Sequence, residues 1–144
     1  MGTAMMGKVT VSMKLQNEAD LERVVLGQLT PAEVREVDVD NALVDTGATM
    51  LAVPGQIVRK LGLTPKRSKD VQTTNGRVTR TIFGGVRLTI QDRNFLCEVA
   101  ELPDDCPALI GQIPLEGLDF VVDPVNRRLI GNPEHGGVAM YEEF

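Results

Sequence analysis

Residues 42–49 of this chain read Ala-Leu-Val-Asp-Thr-Gly-Ala-Thr, and this stretch decides how the rest of the chain is interpreted. Three apolar residues lead directly into Asp45, so the pattern places a carboxylate at the end of a buried strand. Burying a charge is costly unless it is paired or protonated, so an Asp in this position usually has a role. Gly47 permits a tight turn immediately afterwards. The alternative is a strand-ending turn in which Asp45 accepts backbone N–H groups.

The length and charge of the chain limit the possible functions. A chain of 144 residues is expected to form one domain, with a core over about residues 8–131 and a loose tail over residues 132–144. The formal net charge of −5 argues against nucleic acid as a partner. No apolar run approaches the length of a membrane span. Residues 1–7 lack the basic and apolar regions of a signal peptide, so we expect a cytoplasmic protein.

The cysteines and the histidine do not form a metal-binding pattern. Cys97 and Cys106 are too far apart for a C-x-x-C pair, and His135 is the only histidine. We therefore expect no metal, no other cofactor and two buried free thiols, with a disulfide as the alternative. A Cys–His hydrolase is disfavoured because His135 lies in a glycine-rich tail.

The apolar pattern predicts an all-β domain. Residues 8–15 alternate between polar and apolar side chains, as in a half-buried strand. Asn75 and Gly76 lie between two β-prone segments, which is a strong hairpin signal. Many short strands with closely spaced turns indicate a closed or nearly closed barrel.

Helical signals are few. Residues 54–61 carry an apolar stripe and are followed by Gly62, which predicts one short helix. Residues 21–29 fit either a strand or a short helix. Residues 17–20 are expected to form a turn, and residues 114–118 fit one helical turn.

In this order, the motifs resemble the retroviral-type aspartic proteases, the single-lobe relatives of the pepsins. The Asp-Thr-Gly stretch is followed by a short helix, then by a hairpin where the family has its flap, then by an apolar-apolar-Gly segment at residues 109–111. The resemblance covers about residues 8–131 and is strongest to cytosolic bacterial members at residues 121–131. It implies a single-lobe acid-protease barrel with one short helix and a flap hairpin. The flap departs from the family pattern because Gly76 is the only glycine near its tip.

The resemblance also implies an enzyme made of two chains. Hydrolysis of peptide bonds by aspartates needs two carboxyl groups that share one proton. This chain has one Asp-Thr-Gly, so it supplies half of such a site. The implied enzyme is a homodimeric aspartic endopeptidase in which Asp45 meets its symmetry mate and cleaves a peptide or protein substrate.

Roles for the residues around Asp45 follow from the same resemblance. Asp45 is the catalytic residue, and Thr46 forms hydrogen bonds across the dimer beneath the two carboxyl groups. Gly47 offers its carbonyl group to the substrate backbone, and Ala48 and Thr49 contact the substrate. Pepsin-like enzymes have serine at the position of Ala48, and the hydroxyl of that serine stabilises the ionised carboxylate. Without that donor, we expect activity at weakly acidic to near-neutral pH rather than near pH 2.

The remaining expected contacts lie outside the Asp45 stretch. Thr74, Asn75 and Gly76 at the hairpin tip are expected to close over an extended peptide, and Ile110 to lie near a side-chain pocket. The alternative function is a catalytically silent module that binds peptides or proteins on the same fold.

Overall fold

The computed structural model describes residues 8–137, and strands dominate this range. The strands are β1 (Val9–Asn17), β2 (Glu36–Val44), β3 (Leu51–Pro54), β4 (Thr64–Thr73), β5 (Gly76–Ile90), β6 (Arg93–Leu102), β7 (Leu109–Ile110), β8 (Phe120–Asp123) and β9 (Arg128–Gly131). The helices are α1 (Glu18–Val25), α2 (Gly55–Leu61) and α3 (Gln112–Gly117), with 3₁₀ turns at Pro31–Glu33 and Pro133–His135. Residues 1–7, on which the expectation about a signal peptide depends, lie outside the described residues, as do residues 138–144.

The main sheet closes into a ring of strands. Its seven strands follow the order β1-β2-β7-β3-β6-β5-β4, and β5 also pairs with β1. This double pairing is possible because β5 is 15 residues long: residues 76–84 pair with β4 and residues 86–89 pair with β1. Six strands therefore form the ring and β4 extends from it, which confirms the predicted all-β, barrel-like fold.

Two clusters of apolar side chains lie on opposite faces of these strands. The larger cluster is the main core and includes Leu51, Val53 and Val99. Since successive side chains of a strand alternate between faces, the intervening residues belong to the other face. There Ala52, Ile82 and Ala100 form the second apolar cluster. The partly buried side chains of Met50, Leu102 and Leu109 pack against it.

The expectation of one helix is corrected to three. The predicted helix at residues 54–61 is α2, and Gly62 ends it in the left-handed conformation with φ +61°. α1 begins inside the segment expected to be a turn, because the Asn17 side chain caps it by accepting the Asp20 N–H at 3.0 Å. α3 contains the predicted helical turn. No helix within residues 8–137 is long and apolar enough to cross a membrane.

The start of the expected loose tail packs onto the domain. The carboxylate of Asp119 accepts the Asn132 side-chain amide at 3.3 Å and lies 2.7 Å from His135 Nδ1. The Arg93 guanidinium donates to the carbonyl oxygen of Gly137. Residues 132–137 are thus held by side chains of the body, whereas the remainder of the tail lies beyond the described range.

Candidate active site

Strand pairing fixes the backbone on both sides of Asp45. The two-residue strand β7 lies between β2, to which it is parallel, and β3, to which it is antiparallel. The Leu43 N–H donates to the Ala108 carbonyl at 2.8 Å, and the Asp45 N–H donates to the Ile110 carbonyl at 2.9 Å. Asp45 is therefore anchored at the point where the apolar strand ends.

A tight turn orients the Asp45 carboxylate. One of its oxygens, Oδ1, accepts the Gly47 N–H at 3.0 Å, and the Asp45 carbonyl accepts the Ala48 N–H at 3.0 Å. A Cβ atom on Gly47 would lie 3.3 Å from the same carboxylate oxygen, which is tighter than an ordinary contact. The turn that the sequence offered as an alternative role for Asp45 is thus present, and it also holds the half-buried carboxylate in one orientation.

The beginning of α3 holds the other side of this loop. The N–H groups of Gln112 and Ile113 donate to the carbonyls of Ala48 and Thr49 at 2.8 and 2.9 Å, respectively. The Gly111 N–H donates to the Met50 carbonyl at 3.0 Å. Residues 45–50, which we call the Asp45 loop, are therefore bound by β7 and α3 together. Sequence reasoning missed this role of α3, although the glycine before the helix was a signal.

The Asp45 loop opens toward the second apolar cluster. Val44 and Ile110 belong to the main core, so alternation puts Leu43 and Leu109 on the opposite face, and Asp45 follows on the side of Leu43. Leu109 packs against the second apolar cluster. An apolar surface thus lies next to the carboxylate.

The position of Ile110 does not fit the expectation that it lies near a substrate side-chain pocket. Its side chain is 0% exposed within the main core, so it offers no surface that a peptide could contact. Its neighbour Leu109 is half-buried and lies on the Asp45 side. A shift of one residue along a strand exchanges the two faces, so the side chain that shares a face with Asp45 is that of Leu109.

The hairpin tip is a separate structural unit. Thr73 Oγ1 donates to the Gly76 carbonyl at 2.7 Å and accepts the Asn75 N–H at 3.2 Å. Gly76 has φ +109°, which favours glycine, and Thr74 and Asn75 are exposed. These hydrogen bonds join residues of the hairpin to one another, so the predicted contacts of Thr74, Asn75 and Gly76 with a substrate remain predictions.

A shallow cavity of about 340 Å³ lies between the base of this hairpin and the start of α2. Its walls include Arg80 of β5, Glu101 of β6 and the Arg59–Asp104 ion pair, whose closest atoms are 2.9 Å apart. The Arg59 guanidinium lowers the pKa of Asp104 through this hydrogen bond. Within the part of the chain that the structure describes, no three His, Cys, Asp or Glu side chains come together as they would around a metal ion.

The comparison with known families agrees with this geometry. A search of curated proteins finds no match. The aspartyl protease family matches residues 30–124, which is well over half of the chain. The matched range contains the Asp45 loop, the β4–β5 hairpin and β7 with the glycine that follows it. The chain therefore belongs to the aspartyl protease family.

Proposed function

We propose that the protein is an aspartic endopeptidase whose active site forms when two copies of the chain meet on a two-fold axis. The observation that carries the proposal is the Asp45 loop, in which one carboxylate is held at the end of a buried strand. The chain has a single Asp-Thr-Gly, and a two-fold axis is the simplest way to bring a residue against its own copy.

The chemistry follows from two carboxyl groups in contact. Because both cannot be ionised together, the pair holds one proton, and its titration belongs to the pair rather than to either residue. The ionised carboxylate removes a proton from water as its oxygen attacks the peptide carbonyl carbon, while the protonated carboxyl donates a hydrogen bond to the carbonyl oxygen. The C–N bond then breaks as the leaving nitrogen takes the proton that the carboxylate removed from water, and the pair again holds one proton.

The surroundings of the Asp45 loop support pairing on this side of the molecule. Ile113 at the beginning of α3 is 52% exposed, although its own N–H is bonded to the Asp45 loop. An exposed large apolar residue at this point suits an interface with a second copy. Thr46 is exposed beside Asp45 and would bond across the axis beneath the two carboxyl groups.

An extended peptide would lie between the Asp45 loop and the hairpin. The Gly47 carbonyl would bind the peptide backbone, Ala48 and Thr49 would line the site, and Leu109 rather than Ile110 would contact a side chain. The hairpin tip, residues 74–76, would close over the peptide as an added strand.

The lack of a hydroxyl at Ala48 supports activity at weakly acidic to near-neutral pH. Two free thiols suit a reducing compartment and support a cytoplasmic location.

Replacing Asp45 by Asn tests the proposal. Asn keeps the oxygen that accepts the Gly47 N–H but cannot take a proton from water, so kcat/KM for a peptide library should fall by at least about 10³-fold. The thermal midpoint should stay close to that of wild type. Asp40→Asn is the matched control, because Asp40 is exposed on the same strand, and it should retain full activity.

The alternative, a silent binding module, predicts a different result. Wild-type protein would then bind peptides without cleaving them at any pH between about 3 and 8, and Asp45→Asn would change neither property. If Asp45→Asn cleaved peptides as fast as wild type, both proposals would be wrong: the protein would be a peptidase, but Asp45 would not be its catalytic residue.

A further inference from the structure

The β4–β5 hairpin carries a positive charge in a chain that is negative overall. Residues 64–81 contain five Lys and Arg residues and one Asp, whereas the whole chain has a formal net charge of −5. The charge is therefore concentrated on the segment that would cover a substrate.

The strand register separates these cations into two faces. Lys69 lies opposite Arg80, and Val71 lies opposite Val78 on the same face toward the tip. Toward the body, this face continues to Ile82, which is 0% exposed and belongs to the second apolar cluster beside the Asp45 loop. We call it the inner face of the hairpin.

The outer face differs in exposure. Gln72, Arg77 and Thr79 alternate with the inner residues and are all exposed. On the inner face, Val71, Val78 and Arg80 are half-buried and Lys69 is exposed. Since the inner face runs into the second apolar cluster at Ile82, the Lys69–Arg80 pair lies on the same side of the sheet as that cluster, which borders the Asp45 loop.

The Lys69–Arg80 pair has no described counter-ion. Like charges directly opposite each other destabilise a sheet, and such a pair is usually relieved by a carboxylate. Arg67 on the same face has one, since its guanidinium contacts Glu98 at 2.6 and 2.9 Å. Within residues 8–137, no ion pair joins Lys69 or Arg80 to an acidic side chain. Glu101 lines the cavity beside Arg80, and Asp104 there is already bound to Arg59.

We propose that Lys69 and Arg80 select peptide substrates with an acidic side chain near the scissile bond. The proposal rests on the proposed function as a peptidase and names its substrate class. Side chains of an extended peptide alternate in direction, so the preference should be confined to one position or to positions two residues apart. The alternative is that Lys69, on the edge strand β4, only prevents edge-to-edge aggregation. That role predicts no preference for acidic peptides.

Matched peptides test this selection. A set of peptides differs only by Glu or Gln at successive positions around the cleaved bond. Wild-type protein should cleave the Glu peptide about five- to tenfold faster in kcat/KM at the preferred position, as two partly shielded ion pairs would give. The ratio should fall in 0.5 M salt, because salt screens partly exposed charges.

The variants separate the two faces of the hairpin. Lys69→Glu/Arg80→Glu should abolish or invert the Glu preference. Arg77→Glu makes a charge reversal in the same hairpin but on the outer face, so it should leave the preference as in wild type. Thermal midpoints of all variants show that each remains folded.

Each outcome decides the proposal. Cleavage without a Glu preference, or an equal effect of Arg77→Glu, overturns the selection while the peptidase function stands. If no peptide is cleaved, the peptidase function fails, and the same peptides are tested for binding to the Asp45→Asn variant by fluorescence anisotropy. Tighter binding of Glu peptides that is lost on reversing Lys69 and Arg80 supports the selection, and equal or undetectable binding overturns it.

Discussion

Among single residues, Gly111 has the closest backbone contacts around the Asp45 loop. A Cβ atom there would lie 2.5 Å from the Met50 carbonyl oxygen and 2.7 Å from Met50 N and the Thr49 carbonyl carbon. These are backbone atoms that cannot rotate away. We expect Gly111→Ala to lower the free energy of unfolding by roughly 2–3 kcal/mol and to reduce kcat/KM, as measured by urea denaturation and peptide cleavage.

Gly27→Ala is the control for Gly111→Ala. Gly27 has φ +73°, but no heavy atom lies within 4 Å of an added Cβ atom. It should cost only about 1 kcal/mol of backbone strain and leave activity unchanged. If Gly111→Ala is no more destabilising than this control and stays active, the packing described for the Asp45 loop is wrong.

Thiol reactivity should distinguish the two cysteines. Both are free, and burial raises the pKa of the Cys97 thiol to about 12. Because the thiolate is the reactive species, Cys97 should react slowly with a thiol reagent at pH 8 until the protein unfolds. In the Cys106→Ser variant, native protein should therefore release little chromophore from such a reagent. Reaction as fast as in denaturant would contradict the partial burial of Cys97.

The sequence indicates the positions of some candidate site residues better than others. Asp45 and Gly47 are recognisable because their residue types carry the signal: a carboxylate after an apolar run, and a glycine in a tight turn. Leu109 and Ile110 could not be distinguished in this way, since β7 is two residues long and shows no alternation to reveal which side chain is buried. Their assignment depends on the strands beside them.

At the scale of elements, an ion pair fastens α1 to the segment leading into β2. Asp20 is 1% exposed and accepts the Arg35 guanidinium at 2.9 and 3.0 Å and the Arg35 backbone N–H at 3.0 Å. The side-chain hydrogen bonds from Arg35 lower the pKa of Asp20, against the effect of burial, which raises it. The pair therefore stabilises the protein at neutral pH and loses its effect as pH falls through the lowered pKa.

Asp20→Asn tests this ion pair. It should destabilise the protein by roughly 1–2 kcal/mol at pH 7, because it weakens the hydrogen bonds from Arg35, whose side chain is 47% exposed and keeps its contact with water. The difference from wild type should shrink at pH 3, below the ordinary pKa of an aspartate, because protonation then favours the unfolded wild-type chain over the folded one. Urea denaturation at both pH values measures this, with Asp38→Asn on the exposed side of β2 as the control. An equal difference at the two pH values would rule out the charge as its cause.

How well the sequence predicts a helix or strand depends on which side chains that helix or strand buries. The alternation in β1 and the Asn-Gly turn predict a strand and a hairpin that the structure contains. α1 stayed ambiguous because the only side chain it buries fully is Asp20, so it has no apolar stripe that would reveal a helix. The difference from the predicted single helix is therefore α1 and α3.

At the scale of the whole molecule, the closed ring of strands follows from alternation and turn spacing, but the pairing of chains does not. One chain carries one Asp-Thr-Gly, so in the proposed mechanism the site is completed only in the assembly. The Asp45 loop lies at the surface beside exposed Ile113, which leaves it accessible to a second copy. This pairing is the central claim of the proposed mechanism.

Mixing wild-type chains with Asp45→Asn chains tests that claim most directly. The two are refolded together from urea so that dimers form at random, and peptide cleavage is measured at a constant amount of wild type. Since a mixed dimer has one carboxyl group, about a ninefold excess of Asp45→Asn should lower activity to about a tenth. Activity that is unchanged by this excess would show that one chain is sufficient and would contradict the account.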